Sequence, residues 1–360
     1  MSPKLLCKLI VCLTLSCFNL FADSNPYAAY GNSGYNNDQR NGCPCGCSCG
    51  PNCDCGCQQG GPCNCSKPCD NCGEIDEAPV LKYNTGIDCE RAAACGRCGV
   101  WLPEDPVLYR NMMADPRQIT YSAGWRFNDQ VLVKNVIDVS FGDYIPLYRW
   151  CNVWPWGGEL QIEVQGALWA TFDPLHDSSP LLNADYYGGL AITSAWDNWE
   201  FRLRGFHISS HIGDEFLLDH PGFDRRNASA EYVDFYASND ITDEIRLYGG
   251  LGYIVAQDDE FKCSRFWVTS GTEVRFRGLG FFDRCTELYG EPFLAMQFSY
   301  TKDFKHHIDQ TYVLGYEWGR MCGLCRKVRL FIEYHDGYSV EGQFCRLATN
   351  YFSVRVSYGF

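Results

Sequence analysis

From position 119 to the end, apolar and polar residues alternate with a period of two, again and again. This period fits strands and not helices, because successive strand side chains point to opposite faces. Between Glu159 and Phe172 the contrast is sharp. Leu160, Ile162, Val164, Leu168 and Phe172 oppose Glu159, Gln161, Glu163, Gln165 and Thr171. Comparable stretches recur near 119–127, 131–141, 181–195, 198–210, 230–238, 244–255, 264–277, 291–301, 308–318, 327–336 and 349–360. That is about 12 segments, even in number and long enough to cross a bilayer at a tilt.

A β-sandwich alternates as well, so periodicity alone does not decide. Three features do. Arg202, Arg204, Glu273, Arg275, Arg329 and Glu333 fall on what would be the inner face, where a wet lumen hydrates and pairs them. Trp150, Trp154, Trp156, Trp196 and Trp318 sit near strand ends, as rings at a membrane interface do. Finally, the chain closes on Phe352, Val354, Val356, Tyr358 and Phe360, every second residue, with Phe last. That ending resembles the C-terminal signal recognised by barrel-insertion machinery. The expected fold is all-β: a transmembrane antiparallel β-barrel over 119–360, set in outer-membrane lipid.

Lys4 and Lys8 followed by an apolar run from Leu9 to Phe21 have the layout of a secretory signal, residues 1–22. Leu13 to Cys17 reads alternatively as a loose lipobox. Apart from this start there is no apolar run long enough for a membrane helix. The net charge of −14 in 360 residues argues against a nucleic-acid partner.

Residues 23–98 form a Cys/Gly/Pro-rich arm that cannot build a hydrophobic core and is expected to be disordered in the periplasm. Of 23 cysteines, eleven crowd into Cys43, Cys45, Cys47, Cys49, Cys53, Cys55, Cys57, Cys63, Cys65, Cys69 and Cys72. Cys89, Cys95 and Cys98 make a second group. Export favours disulfides. Cysteines two apart bridge each other only with strain, so distant partners are expected: other envelope proteins or a second copy. Soft-metal binding through thiolates is the alternative chemistry. Cys322 and Cys325 fall in a turn and suit a local disulfide or an arm contact. Residues 99–118 read as a Pro-containing linker.

Leu203 to Glu215, Arg246 to Gly250, Asn183 to Tyr186 and Leu330 to Phe344 together resemble an uncharacterised bacterial family, domain of unknown function 1207, over roughly residues 115–360. The resemblance implies an exported envelope protein and brings no activity. His207-x-Ser209 is similar to the H-x-S of outer-membrane phospholipase A and of lipid A deacylase barrels, which carry that pair on the lipid-facing wall. Ser210-His211 follows where the phospholipase motif has Asn-Gly. Phe201, Leu203, His207 and Ser209 share a parity, so an unbroken strand puts the pair outward; a bulge at Gly205 would turn it inward. Glu231 is the candidate third member, with Asn227 and Asp234 behind it. No cofactor is expected, and Ca²⁺ enters only under the hydrolase reading.

Three functions follow: a structural or pore-like barrel with a disulfide-forming arm, an outer-membrane lipid hydrolase using His207, Ser209 and Glu231, or an exported metal-binding β-protein. Both termini fall on one side, with 211–229 and 337–348 on the other. The connection at 142–158 is too long for the terminal side.

Overall fold

The computed structural model describes residues 75–78, 87–104, 107–155, 157–259, 264–283, 286–302, 308–320 and 326–360. The signal, the eleven-cysteine tract, Cys322 and Cys325 lie outside them. Within the compact unit Cys69–Phe360, the strands are β1 (Tyr121–Phe127), β2 (Asn135–Val153), β3 (Gly158–Phe172) and β4 (Leu181–Trp196). They continue as β5 (Trp199–Ile212), β6 (Ala228–Asp240), β7 (Ile245–Gln257) and β8 (Phe266–Arg275). The last are β9 (Leu288–Thr301), β10 (Ile308–Arg320), β11 (Lys327–Tyr338) and β12 (Ala348–Gly359). Each pairs antiparallel with the next, and β12 pairs with β1 from Phe352 opposite Phe127 to Tyr358 opposite Tyr121. The sheet is therefore a closed 12-strand barrel with no free edge among these strands.

The wall is inside-out relative to a water-soluble protein. On β11, Val328, Leu330 and Ile332 face outward while Lys327, Arg329 and Glu333 are buried. On β12, Phe352, Val354, Val356 and Tyr358 are exposed while Ser353, Arg355 and Ser357 are buried. Burying one such apolar side chain away from water gains about 1.5–3 kcal/mol. A wall that turns them all out folds only against an apolar medium.

The long connection expected at 142–158 does not exist. β2 runs on to Val153, with register shifts against β3 between Pro146 and Tyr148 and between Trp150 and Val153. These irregularities break strict alternation, which is why the sequence pattern fades at 142 although pairing continues. Only 154–157 remains as a turn.

The arm and linker are also partly structured. Helix α1 (Ile87–Ala94) carries Asp88 and Glu90 in its first turn, where the helix dipole favours them. Gly99–Trp101 pairs with β2, and Cys89 is disulfide-bonded to Cys151 of β2.

The expected linker is instead a plug. In 107–118, Val107, Leu108, Tyr109, Met112, Met113 and Ala114 are buried, facing inward wall residues. Met113 and Ala114 join Phe293, Ala295, Val313 and Phe331 in an apolar cluster. The Arg246 guanidinium donates to the carbonyls of Arg110 at 3.0 Å and Asn111 at 3.3 Å. The Arg246 guanidinium also donates to Glu200 at 2.9 Å and Glu273 at 3.2 Å, so one wall arginine binds both the plug and two carboxylates. Further ion pairs fill the lumen: Arg275 with Glu291 and Glu317, and Arg355 with Asp138.

Candidate functional site

β5 runs without a register shift against either neighbour, and Gly205 is paired with Leu190 and Val233 in regular order. His207 and Ser209 consequently stay on the outward face with Leu203. His207 lies directly opposite Glu231, and Ser209 directly opposite Ser229. The irregularity nearby belongs to β7, which carries the extra residue Val255 beside Glu231 and Tyr232.

The four side chains divide differently from the sequence expectation. Ser209 Oγ is 3.0 Å from His211 Nε2, not bonded to His207. His207 Nδ1 lies 3.4 Å from Glu231 Oε1. Its Nε2 lies 3.4 Å from Ser229 Oγ. Serine, imidazole and carboxylate thus stand in the order nucleophile, base, orienting acid, at spacings that would tighten around a substrate. The side chains of His207 and Glu231 are about half exposed, at 47% and 50%.

Ser229 was missed by sequence reasoning, although its parity matches Glu231 and the strand pairing puts it opposite Ser209. Neither Asn227 nor Asp234 joins the cluster. Asn227 donates to Asp258 at 2.9 Å, and Asp234 faces the lumen on Arg204. Aromatic rings border the group on the outer wall: Tyr186 opposite Ser209, and Tyr253 opposite Val233. Rings of this kind mark a membrane–water boundary, where lipid ester groups also lie.

At the end of the barrel that holds both termini, Cys95 and Cys98 are exposed free thiols close to the Cys89–Cys151 bridge. Of the terminal stripe, Phe352, Val354, Val356 and Tyr358 lie outward. Phe360 departs from it and sets its ring 6.4 Å from Tyr144.

At the opposite end, the 339–347 connection folds back on the barrel. Burial by itself would raise the Glu341 carboxyl; the guanidiniums of Arg126 and Arg117 and the Ser339 hydroxyl outweigh it and hold the group below the usual glutamate range. Among the described residues, no group of three or more His, Cys, Asp or Glu is arranged to hold a metal ion.

The sequence model of a family described as "protein of unknown function (DUF1207)" matches residues 71–360. The chain belongs to this family. The match begins well before residue 115, so α1, the Cys89–Cys151 bridge and the plug are all DUF1207 features. No curated relative matches the sequence. Among solved structures, outer membrane phospholipase A from Escherichia coli is similar, at 13% identity and a TM-score of 0.46, covering 69% of this chain and 94% of that one. LpxR from Salmonella typhimurium is similar at 11% identity and a TM-score of 0.34, covering 67% of this chain and all of that one. These are likenesses of barrel architecture and extend to no activity.

Proposed function

We propose that this DUF1207 protein is an occluded outer-membrane barrel that anchors a cross-linking, cysteine-rich arm in the periplasm, a structural envelope role rather than a pore. The observation that carries the reading is the Cys89–Cys151 disulfide, which roots the C-terminal part of the arm on the barrel end where both termini lie. Exposed Cys95 and Cys98 beside it are available to partner thiols. The plug supports the non-conducting half of the reading, because a 12-strand lumen filled by 107–118 and wall ion pairs leaves no through path for solute. Partners are other cysteine-bearing envelope proteins or further copies of the chain. The test is a non-reducing gel of native envelopes. High-mass adducts that vanish with reductant and on deletion of 24–72 support the role; a monomer in both parent and deletion refutes it.

The outward Ser229–His207–Glu231 arrangement favours a second reading, ester hydrolysis at the membrane surface. Glu231 orients His207, which takes the Ser229 proton as the hydroxyl attacks an acyl carbonyl. Fatty-acid release from phospholipid vesicles that is lost in Ser229→Ala supports it; equal release by parent and variant ends it.

A further inference from the structure

The lumen is not filled uniformly. Along one wall runs an unbroken arc of aromatic rings, one per strand: Trp169 of β3, Tyr187 of β4, Phe206 of β5 and Tyr232 of β6. Successive centroids are 5.7, 5.1 and 4.9 Å apart. Trp267 of β8 completes the arc 6.0 Å from Tyr232, reaching across β7. Gly252 of β7 makes that reach feasible, since a Cβ there would stand 1.9 Å from the Trp267 ring. Two cavities lie against the arc, of about 190 and 240 Å³, and share Arg117, Trp169, Ile208 and Trp267 in their linings. The larger reaches Ser264, Thr301 and Gly342, at the end of the barrel away from the termini. The smaller ends on Asp115 of the plug, so the space is blind.

Charge narrows what this space can hold. Arg117 is paired with Asp185, and Arg204 with Asp234. Neither arginine is left for an anion. The same two guanidiniums lie over Trp169 and Phe206, at 5.0 and 5.1 Å, so a further cation meets ring faces already occupied by positive charge. An alkane gains the rings but strands the polar rim. The Ser264 hydroxyl is buried with no hydrogen-bond partner, and the Asp115 carboxylate, which accepts the Arg117 backbone N–H at 2.9 Å, keeps lone pairs to spare. Rings for C–H faces together with neutral hydroxyls and a carboxylate acceptor suit an uncharged polyol of ring form. We propose that this blind aromatic pocket is a binding site for a neutral saccharide.

The test is calorimetric titration of the full chain, in a detergent without a sugar head group, with maltose, cellobiose and N-acetylglucosamine, and with choline and sulfate as charged comparators. Saturable binding of at least one of the three sugars is expected. Trp267→Ala should weaken it about tenfold or more, the scale of losing a buried ring. Ser264→Ala, a small change that leaves the arc intact, should weaken it measurably and retain heat-modifiable migration on gels. Gly252→Ala, which drives Trp267 from its seat, should behave like Trp267→Ala. Binding by none of the three sugars, equal binding by parent and Ser264→Ala, or tighter binding of choline or sulfate would overturn the proposal.

Discussion

Arg110 of the plug is held twice by Glu200 of β5: its backbone N–H donates to the carboxylate at 3.1 Å, and its guanidinium donates to the same group. Glu200 also accepts from Arg246 at 2.9 Å and from the Ser238 hydroxyl at 3.0 Å. One buried carboxylate therefore joins the plug to three points on the wall. Removing one partner from such a group leaves its cations uncompensated, which costs about 3–5 kcal/mol. Glu200→Ala should lower the temperature at which the folded, fast-migrating form is lost on gels. Glu200→Gln, which keeps the hydrogen-bond acceptor but not the charge, should fall between variant and parent.

The plug also predicts a transport phenotype. The parent should show no steady conductance in planar bilayers. Replacing Tyr109, Met112 and Met113 by Ser removes the apolar body that seals the lumen, and should produce discrete openings. A parent that already conducts would show that 107–118 does not occlude the barrel.

Much of this architecture was legible in the sequence, for a physical reason. A wall with lipid on one side and polar groups on the other forces a period of two, and β11 and β12 obey it residue by residue. What escaped notice has no period. The plug looked like a linker because its two short apolar clusters, 107–109 and 112–114, are interrupted by Arg110 and Asn111, whose partners lie 90 or more residues away on β5 and β7. β2 seemed to stop at 142 because its register shifts scramble the alternation. In the candidate site, parity put His207, Ser209 and Glu231 on one face correctly, yet choosing Ser229 over Ser209 as the partner of His207 needs the rotamers and the β5–β6 register together.

The Cys89–Cys151 bridge closes a chain segment of 62 residues. By loop-closure entropy a bridge of this span stabilises by up to about 4 kcal/mol. Cys151→Ser should release α1 without unfolding the barrel. Proteolysis near residue 94 should then become fast, while heat-modifiable migration of the barrel core is retained.

Glu341 gives a pH dependence of defined sign. Its carboxyl is held below the usual glutamate range in the folded protein, so its contribution is complete above about pH 4.3, the unfolded value. That contribution is lost as the pH falls further and the folded carboxyl protonates. Hydrogen exchange across 339–347 should accelerate on acidification below that point. The acceleration should be blunted in Glu341→Gln, which cannot titrate.

The barrel claim is tested most directly by nitroxide labels placed one at a time from 328 to 333 and from 352 to 357, in the protein embedded in lipid vesicles. Labels at 328, 330, 332, 352, 354 and 356 should collide freely with oxygen dissolved in the acyl chains, and those between them should not. Accessibility that fails to alternate, or that peaks for a water-borne relaxer at the even positions, would contradict a lipid-facing closed wall.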